Sequence, residues 1–132
     1  MTHLDANILI DVMRDAGPWS EWCRGQVALA AANGPLALSH VVYAEVSVGF
    51  PAHDALDAVL DLLRITLRPP SRQALFLAGR AHLAYRRRGG TRTGVLPDFL
   101  VGAQALTDDA ILLTRDPRRY RTDFPTLRLI HP

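Results

Sequence analysis

The chain opens on Thr2-His3-Leu4-Asp5-Ala6-Asn7-Ile8-Leu9-Ile10-Asp11-Val12-Met13-Arg14. Thr2 to Leu4 reads as a short strand that ends at Asp5. Asn7 to Arg14 reads as a short helix stopped by Gly17-Pro18. An acid therefore sits at a strand-to-helix junction, where a helix N-cap belongs. The same alternation repeats along the chain. Trp19 to Ala32 is a helix with Trp22, Val27 and Leu29 among its apolar positions, ended by Asn33-Gly34-Pro35. Leu36-Ala37-Leu38 is a buried-type strand, and Ser39 caps a helix over Val41 to Val48. Asp54 to Arg64 is helical, because Leu56, Val59, Leu60 and Leu63 recur at 3.6-residue spacing. Ile65-Thr66-Leu67 is a strand, and Ser71 caps a helix that runs to Arg88 and stops at Gly89-Gly90. Thr91 to Leu96 is a loop, Asp98 to Leu106 a helix, Ala110 to Leu113 a strand, Pro117 to Tyr120 a helical turn, and Leu127 to Ile130 a last strand.

About five short, apolar, unalternating strands separated by helices predict an α/β fold with a parallel sheet covered on both faces. At 132 residues and 48% hydrophobic content the chain is expected to form one domain, residues 1–132, with a buried core. There is no repeat and no low-complexity tract. The longest apolar stretch of note, Val27 to Ala32, is too short to cross a bilayer. The N-terminal residues lack the pattern of a signal peptide. Cys23 is the only cysteine, which excludes an intramolecular disulfide framework and a cysteine-based zinc site. These features predict a cytoplasmic protein without a membrane segment.

Net charge is +2. All 15 basic residues are Arg, and 11 of the 13 acids are Asp. The absence of Lys removes a Walker P-loop and lysine Schiff-base chemistry. Arginine suits bidentate phosphate contacts, although genome base composition also favours it over lysine. No dinucleotide-binding glycine motif, G-x-S-x-G elbow or RNP-like aromatic set is present. The five histidines show no ligand spacing.

Four acids stand out. Asp5 and Asp116 fall at the carboxyl ends of strands, where sites in parallel sheets lie. Asp98 opens a helix behind Pro97, and Glu45 lies one turn into the helix after the second strand, among Val42, Tyr43, Ala44, Val46 and Val48. Capping alone accounts for Asp5, Asp98 or Asp116 taken singly. A cluster is different: two carboxylates about 4 Å apart repel by about 4 kcal/mol at an effective dielectric near 20. Such a group persists when protonated, paired or metal-bound. Hard oxygen ligands favour Mg²⁺ or Mn²⁺.

These residues carry a family resemblance. Leu4-Asp5-Ala6-Asn7-Ile8-Leu9-Ile10-Asp11 resembles the opening motif of PIN domains, and Val42-Tyr43-Ala44-Glu45-Val46 their glutamate motif. Leu96-Pro97-Asp98-Phe99-Leu100-Val101-Gly102-Ala103-Gln104-Ala105 and Leu112-Leu113-Thr114-Arg115-Asp116-Pro117-Arg118-Arg119-Tyr120 resemble the third and fourth. Each motif is weak alone. The ordered set spans essentially the whole chain, and it most resembles the VapC-type toxins of bacterial toxin–antitoxin pairs. The resemblance implies an endoribonuclease that uses Mg²⁺ or Mn²⁺ and a metal-activated water, leaving a 5′-phosphate and a 3′-hydroxyl. By residue it implies Asp5, Glu45, Asp98 and Asp116 as the catalytic acids, with Asp5, Asp98 and Asp116 holding metal and Asn7 and Thr114 supporting them. It also implies an RNA substrate, a cognate antitoxin held in a groove of the early helices, and a homodimer or a heterotetramer or larger assembly with that antitoxin. Gln104 stands where many relatives have His and carries no catalytic expectation.

Other residues complete the expectations. Arg115, Arg118, Arg119 and Arg121 surround Asp116, and a solvated turn accounts for them; but cations in the first turn of a helix oppose its dipole, so a partner is worth seeking, either the acids or an RNA phosphate, with Arg115, Arg118 and Arg119 the candidate RNA contacts. Arg86-Arg87-Arg88 lies at a helix C-terminus, where cations are favoured. Asp11, Asp108, Asp109 and Asp123 are expected to be solvated at the surface, and Cys23 to be a buried small hydrophobe. The alternative to an enzyme is a catalytically silent PIN-fold module that binds RNA or protein; the four intact acids count against it. A phosphoacceptor domain also clusters Asp at strand ends but needs a Lys.

Overall fold

The computed structural model describes residues 1–132. Its elements run β1 (Thr2–Leu4), α1 (Ala6–Met13), α2 (Ser20–Asn33), β2 (Leu36–Ser39), α3 (His40–Ser47), α4 (His53–Leu62), β3 (Ile65–Arg68), α5 (Arg72–Arg87), α6 (Pro97–Thr107), β4 (Ile111–Leu113), α7 (Arg118–Arg121) and β5 (Arg128–Ile130). The five strands form one sheet in the order β3-β2-β1-β4-β5, every pair parallel. Each expected element is present, with ends shifted by one or two residues. No helix is long and apolar enough to cross a membrane.

The chain starts in the middle of the sheet, builds outward to β3, then returns to add β4 on the other side of β1. The direction of winding therefore reverses between β1 and β4, and the crevice beyond their carboxyl ends is where open parallel sheets place their sites. Register brings the ends together: Leu4 pairs with Leu113, and the Asp5 N–H donates to the Leu113 carbonyl at 3.0 Å. Asp5 and Thr114 follow directly.

Burial follows position in the sheet. Leu4, Leu36, Leu38, Leu112 and Leu113 are fully enclosed, because helices cover both faces of the three central strands. The expectation of strands covered throughout fails at the edge. In β3 only Ile65 is buried, and Thr66, Leu67 and Arg68 are exposed. β5 is half open as well. An edge strand has one neighbour and less helix above it. Leu29, read as an apolar position of α2, is exposed too; that helix instead buries Cys23, Val27 and Ala30 at helical spacing.

Of the five capping expectations, those for Ser39, Ser71 and Asp5 hold. Ser39 and Ser71 accept from the Val42 and Ala74 N–H groups, and Asp5 caps α1 through the Ala6 N–H. Asp98 is not a cap: Leu96 occupies that place, Pro97 is the first helical residue and Asp98 follows inside the first turn. Asp116 precedes Pro117, the residue that caps α7. Asp98 is thus free of the capping role that would have explained it, whereas Asp116 still accepts a backbone hydrogen bond from Arg118 at the start of α7.

Helix α6 is buried nearly all round, through Phe99, Val101, Gly102, Ala103, Gln104 and Ala105. Gly102 lets two aromatic rings lie against its backbone. A Cβ there would sit 2.5 Å from the Phe124 ring and 3.1 Å from Tyr120. Both rings are enclosed, at 2% and 0% exposure, and have nowhere to move. Gly102→Ala is expected to destabilise the protein by about 1–3 kcal/mol through overpacking, although Ala gains about 1 kcal/mol in helix propensity. Urea unfolding of the two proteins measures the difference.

Candidate active site

Asp5 is the innermost acid. It is 2% exposed, at the carboxyl end of the central strand. One carboxylate oxygen, Oδ1, accepts the Ala6 N–H at 2.8 Å. The other, Oδ2, accepts the Thr114 hydroxyl at 2.7 Å and the Tyr120 phenol at 2.9 Å, with the Asn7 amide at 3.5 Å. A buried carboxylate without such donors would be strongly disfavoured. The donors come from α1, the β4 exit and α7, so satisfying Asp5 requires the whole crevice to be assembled.

The other three acids stand around it. Asp98 is brought in by the first turn of α6, Asp116 by the loop after β4, and Glu45 by α3 at the exposed rim. Their electrostatics show that they share one region. Loss of hydration raises the Glu45 carboxyl above its ordinary value, and the negative charges of Asp5 and Asp98 raise it further, against Arg119. Burial likewise raises Asp98; Arg119 works against this, while Asp5 and Asp116 add to it. Asp116 differs. Its partial desolvation is outweighed by the Arg118 hydrogen bond and by the charges of Arg118 and Arg119, which hold it low. Burial and Asp5 push the Tyr120 phenol up, so it remains a donor to Asp5.

The arginines divide. Arg119 lies between two acids, with Nε 3.3 Å from Asp116 and a terminal nitrogen 3.7 Å from Asp98. Arg118 pairs with Asp116 at 3.2 Å and is otherwise in solvent. Arg115 turns the other way. Its guanidinium pairs with Asp11, which is 1% exposed, and lies 5.8 Å from the Trp19 ring centre. Its backbone N–H donates to Asn7 Oδ1 at 3.2 Å. Asn7 and Asp11, one helical turn apart on α1, thus grip the loop that carries Asp116.

The surface assignment of Asp11 is corrected by this pair, and two further acids follow it. Asp108 is largely enclosed, accepting from His3 at 2.8 Å and Arg68 at 3.1 Å. Asp123 is 9% exposed and accepts from Arg88 at 2.8 Å. Asp109 alone is solvated as expected, at 99% exposure. Gln104 is buried and donates to the Arg68 carbonyl at 3.0 Å, a tie between α6 and β3. Tyr120 and Asp11 are the residues that sequence reasoning missed. Asp11 had a signal, its four-residue spacing from Asn7 on one helix face. Tyr120 had none, since only the closing of α7 onto β1 brings its hydroxyl to Asp5.

A divalent cation suits this donor set in kind. The acids supply hard oxygens, and the carboxyls of Asp98 and Glu45 are raised first by burial and then by neighbouring acids, against Arg119. The acids are not a closed cage: no three Asp, Glu, His or Cys side chains converge on a common point at ligand distance. Mg²⁺ and Mn²⁺ are compatible with so open an arrangement, because they keep several waters and take few carboxylates. Beside the site, Ile10, Met13, Val46, Phe50 and Val59 line an apolar cleft of about 530 Å³ that reaches Glu45.

Two outcomes follow from these contacts. Raised carboxyls bind protons more tightly in the folded state, so their stabilising contribution is full below the unfolded pKa and is lost as pH rises through the folded one. In EDTA, urea unfolding from pH 4 to pH 8 should show this loss in wild type and a flatter profile in Asp98→Asn. Asp11→Ala should cost about 2–3 kcal/mol, at or below the usual range for breaking a buried pair because Arg115 retains some solvent. The same unfolding assay reads it.

Comparison with known proteins places these features in a family. The family model described as PIN domain matches residues 3–125. No curated protein sequence matches. Among solved structures, VapBC2 from Rickettsia felis bound to a DNA fragment from their promoter aligns with a TM-score of 0.75 at 20% identity, covering 99% of this chain and 98% of that one. VapBC-1 from nontypeable Haemophilus influenzae aligns with a TM-score of 0.71 at 19% identity, covering 98% and 96%. A toxin–antitoxin complex from Klebsiella pneumoniae gives 0.63 at 21% identity, covering 98% and 96%. With the family model matched across nearly its full length, this chain belongs to the PIN-domain family.

Proposed function

We propose that the protein is a Mg²⁺- or Mn²⁺-dependent endoribonuclease that acts in the cytoplasm as the toxin of a toxin–antitoxin pair. The observation that carries this reading is the gathering of Asp5, Glu45, Asp98 and Asp116 around the crevice beyond the carboxyl ends of β1 and β4, where Asp98 and Glu45 are raised by burial and by Asp5. Asp5, Asp98 and Asp116 would hold the cation. Bound there, it would supply an activated water and neutralise charge on a phosphodiester.

The chain's own groups divide the remaining work. Glu45, at the rim with a raised carboxyl, is suited to accept a proton from the attacking water at its carboxylate oxygens. Thr114 donates to Asp5 and accepts the Asp116 N–H at 3.1 Å, so one hydroxyl sets two of the acids. Asn7 steadies Asp5 and the Asp116 loop together. Arg118 and Arg119 have the exposure and position to meet RNA phosphates. Arg115 leaves that role, because its guanidinium is committed to Asp11.

The apolar cleft of Ile10, Met13, Val46, Phe50 and Val59 is suited to an antitoxin segment, which from there would reach Glu45. The structural relatives from Rickettsia felis and Haemophilus influenzae are VapBC proteins, and that from Klebsiella pneumoniae is a toxin–antitoxin complex. They support the same assignment by their fold.

Cleavage of a total RNA pool by the purified chain tests the reading. Wild type with Mg²⁺ or Mn²⁺ should give discrete cuts with 5′-phosphate ends. EDTA should abolish them, and Asp98→Asn should reduce them to background while unfolding cooperatively. An active, folded Asp98→Asn protein would remove the site assignment. A folded wild type that binds Mn²⁺ and cuts nothing would favour the silent binding module.

A further inference from the structure

The hydrogen bonds to Asp5 are distributed unequally between its two oxygens. Oδ2 accepts two short bonds, from Thr114 at 2.7 Å and Tyr120 at 2.9 Å. A carboxylate oxygen has two in-plane lone pairs, and these donors use them. Oδ1 accepts one bond, from the Ala6 N–H at 2.8 Å. It keeps a lone pair.

We propose that Tyr120 is a positioning residue for Asp5: its phenol, with the Thr114 hydroxyl, saturates Oδ2, so that Asp5 presents a cation with one oxygen, Oδ1, rather than two. This rests on the metal-dependent reading of the site. The geometry favours a fixed role over a passive one. Tyr120 is 0% exposed, and its ring is packed against the Gly102 backbone beside Phe124. The phenol therefore has one position and one acceptor. Its helix, α7, is a single turn that begins two residues after Asp116. The same short segment thus carries one acid and the donor that orients another.

The consequence is ion selectivity. Mg²⁺ and Mn²⁺ demand near-octahedral geometry and are served by single-oxygen carboxylates, whereas Ca²⁺ accepts single- or two-oxygen carboxylates and variable coordination. Losing an outer partner of a metal ligand typically costs 10–100-fold in affinity. Without the phenol, Oδ2 keeps the Thr114 bond but regains a lone pair, which would let Asp5 turn or bind through both oxygens. That should penalise Mn²⁺ and spare Ca²⁺.

The test is calorimetric titration of the EDTA-stripped chain with Mn²⁺ and, separately, with Ca²⁺, comparing wild type with Tyr120→Phe. Phenylalanine keeps the ring and removes only the hydroxyl. The expected result is a Mn²⁺ dissociation constant raised about tenfold with Ca²⁺ affinity changed less than about twofold. Equal Mn²⁺ affinity in the two proteins overturns the proposal. So does a common loss for both ions, which would mean general loosening of the crevice. Tyr120→Leu also lacks the hydroxyl while keeping an apolar side chain against Gly102, and it is read by the same criteria if the phenylalanine variant does not fold. Asp98→Asn separates this inference from the reading beneath it. If wild type binds Mn²⁺, Asp98→Asn does not, and Tyr120→Phe binds like wild type, positioning alone fails. If wild type binds neither ion, the metal site and the positioning role fail together.

Discussion

Asp5 is buried at the end of the central strand, and the fold is arranged to make that tolerable. Its two oxygens receive donors from a helix N-terminus, a strand exit and a single-turn helix. Thr114 and Tyr120 lie 109 and 115 residues from Asp5 in sequence and reach it only through the sheet. β1 and β4 must pair in register for Thr114 to reach Asp5, and α7 must close against α6 for Tyr120 to do so. Removing any one donor leaves a buried polar group short of a partner, which costs about 1–3 kcal/mol. The crevice is therefore a structural requirement as well as a chemical opportunity.

Around that centre the charges are balanced unevenly. Asp116 has two arginines and is held low. Asp98 and Glu45 share Arg119 with it and are raised. A site of this kind trades stability for readiness: the acids repel each other until a cation or protons arrive. The arginines that surround Asp116 look alike in sequence and serve opposite ends. Arg115 anchors the loop inward on Asp11, Arg119 spans two acids, and Arg118 faces water.

The rest of the molecule isolates this edge from the forces that hold the fold. The core is carried by the leucines of β1, β2 and β4 and by the buried faces of α1, α3, α4 and α6. Away from the site, the Arg68–Asp108 and Arg88–Asp123 ion pairs and the His3–Asp108 hydrogen bond tie helix ends to strands and loops on the α5–α6 side. The apolar cleft beside Glu45 is a place where helices α1, α3 and α4 leave side chains unburied by the chain itself.

Periodicity and punctuation were local properties, so the sequence by itself determined the twelve elements, the parallel α/β class and the ordered quartet of acids. Leu56 and Leu60 on α4, Ser39 and Ser71 as caps, and Gly89-Gly90 as a stop depend only on neighbours a few residues away. The tertiary structure alone decided what depends on distant chain segments. It made β3 an open edge, drew Asp11, Asp108 and Asp123 inward by pairing them with Arg115, with His3 and Arg68, and with Arg88, and brought the Tyr120 hydroxyl to Asp5. An ionisable residue can be solvated or buried with equal local plausibility. Which occurs is set by whether the fold delivers an opposite charge or a donor to it, and that is a contact between residues as far apart as Asp5 and Tyr120.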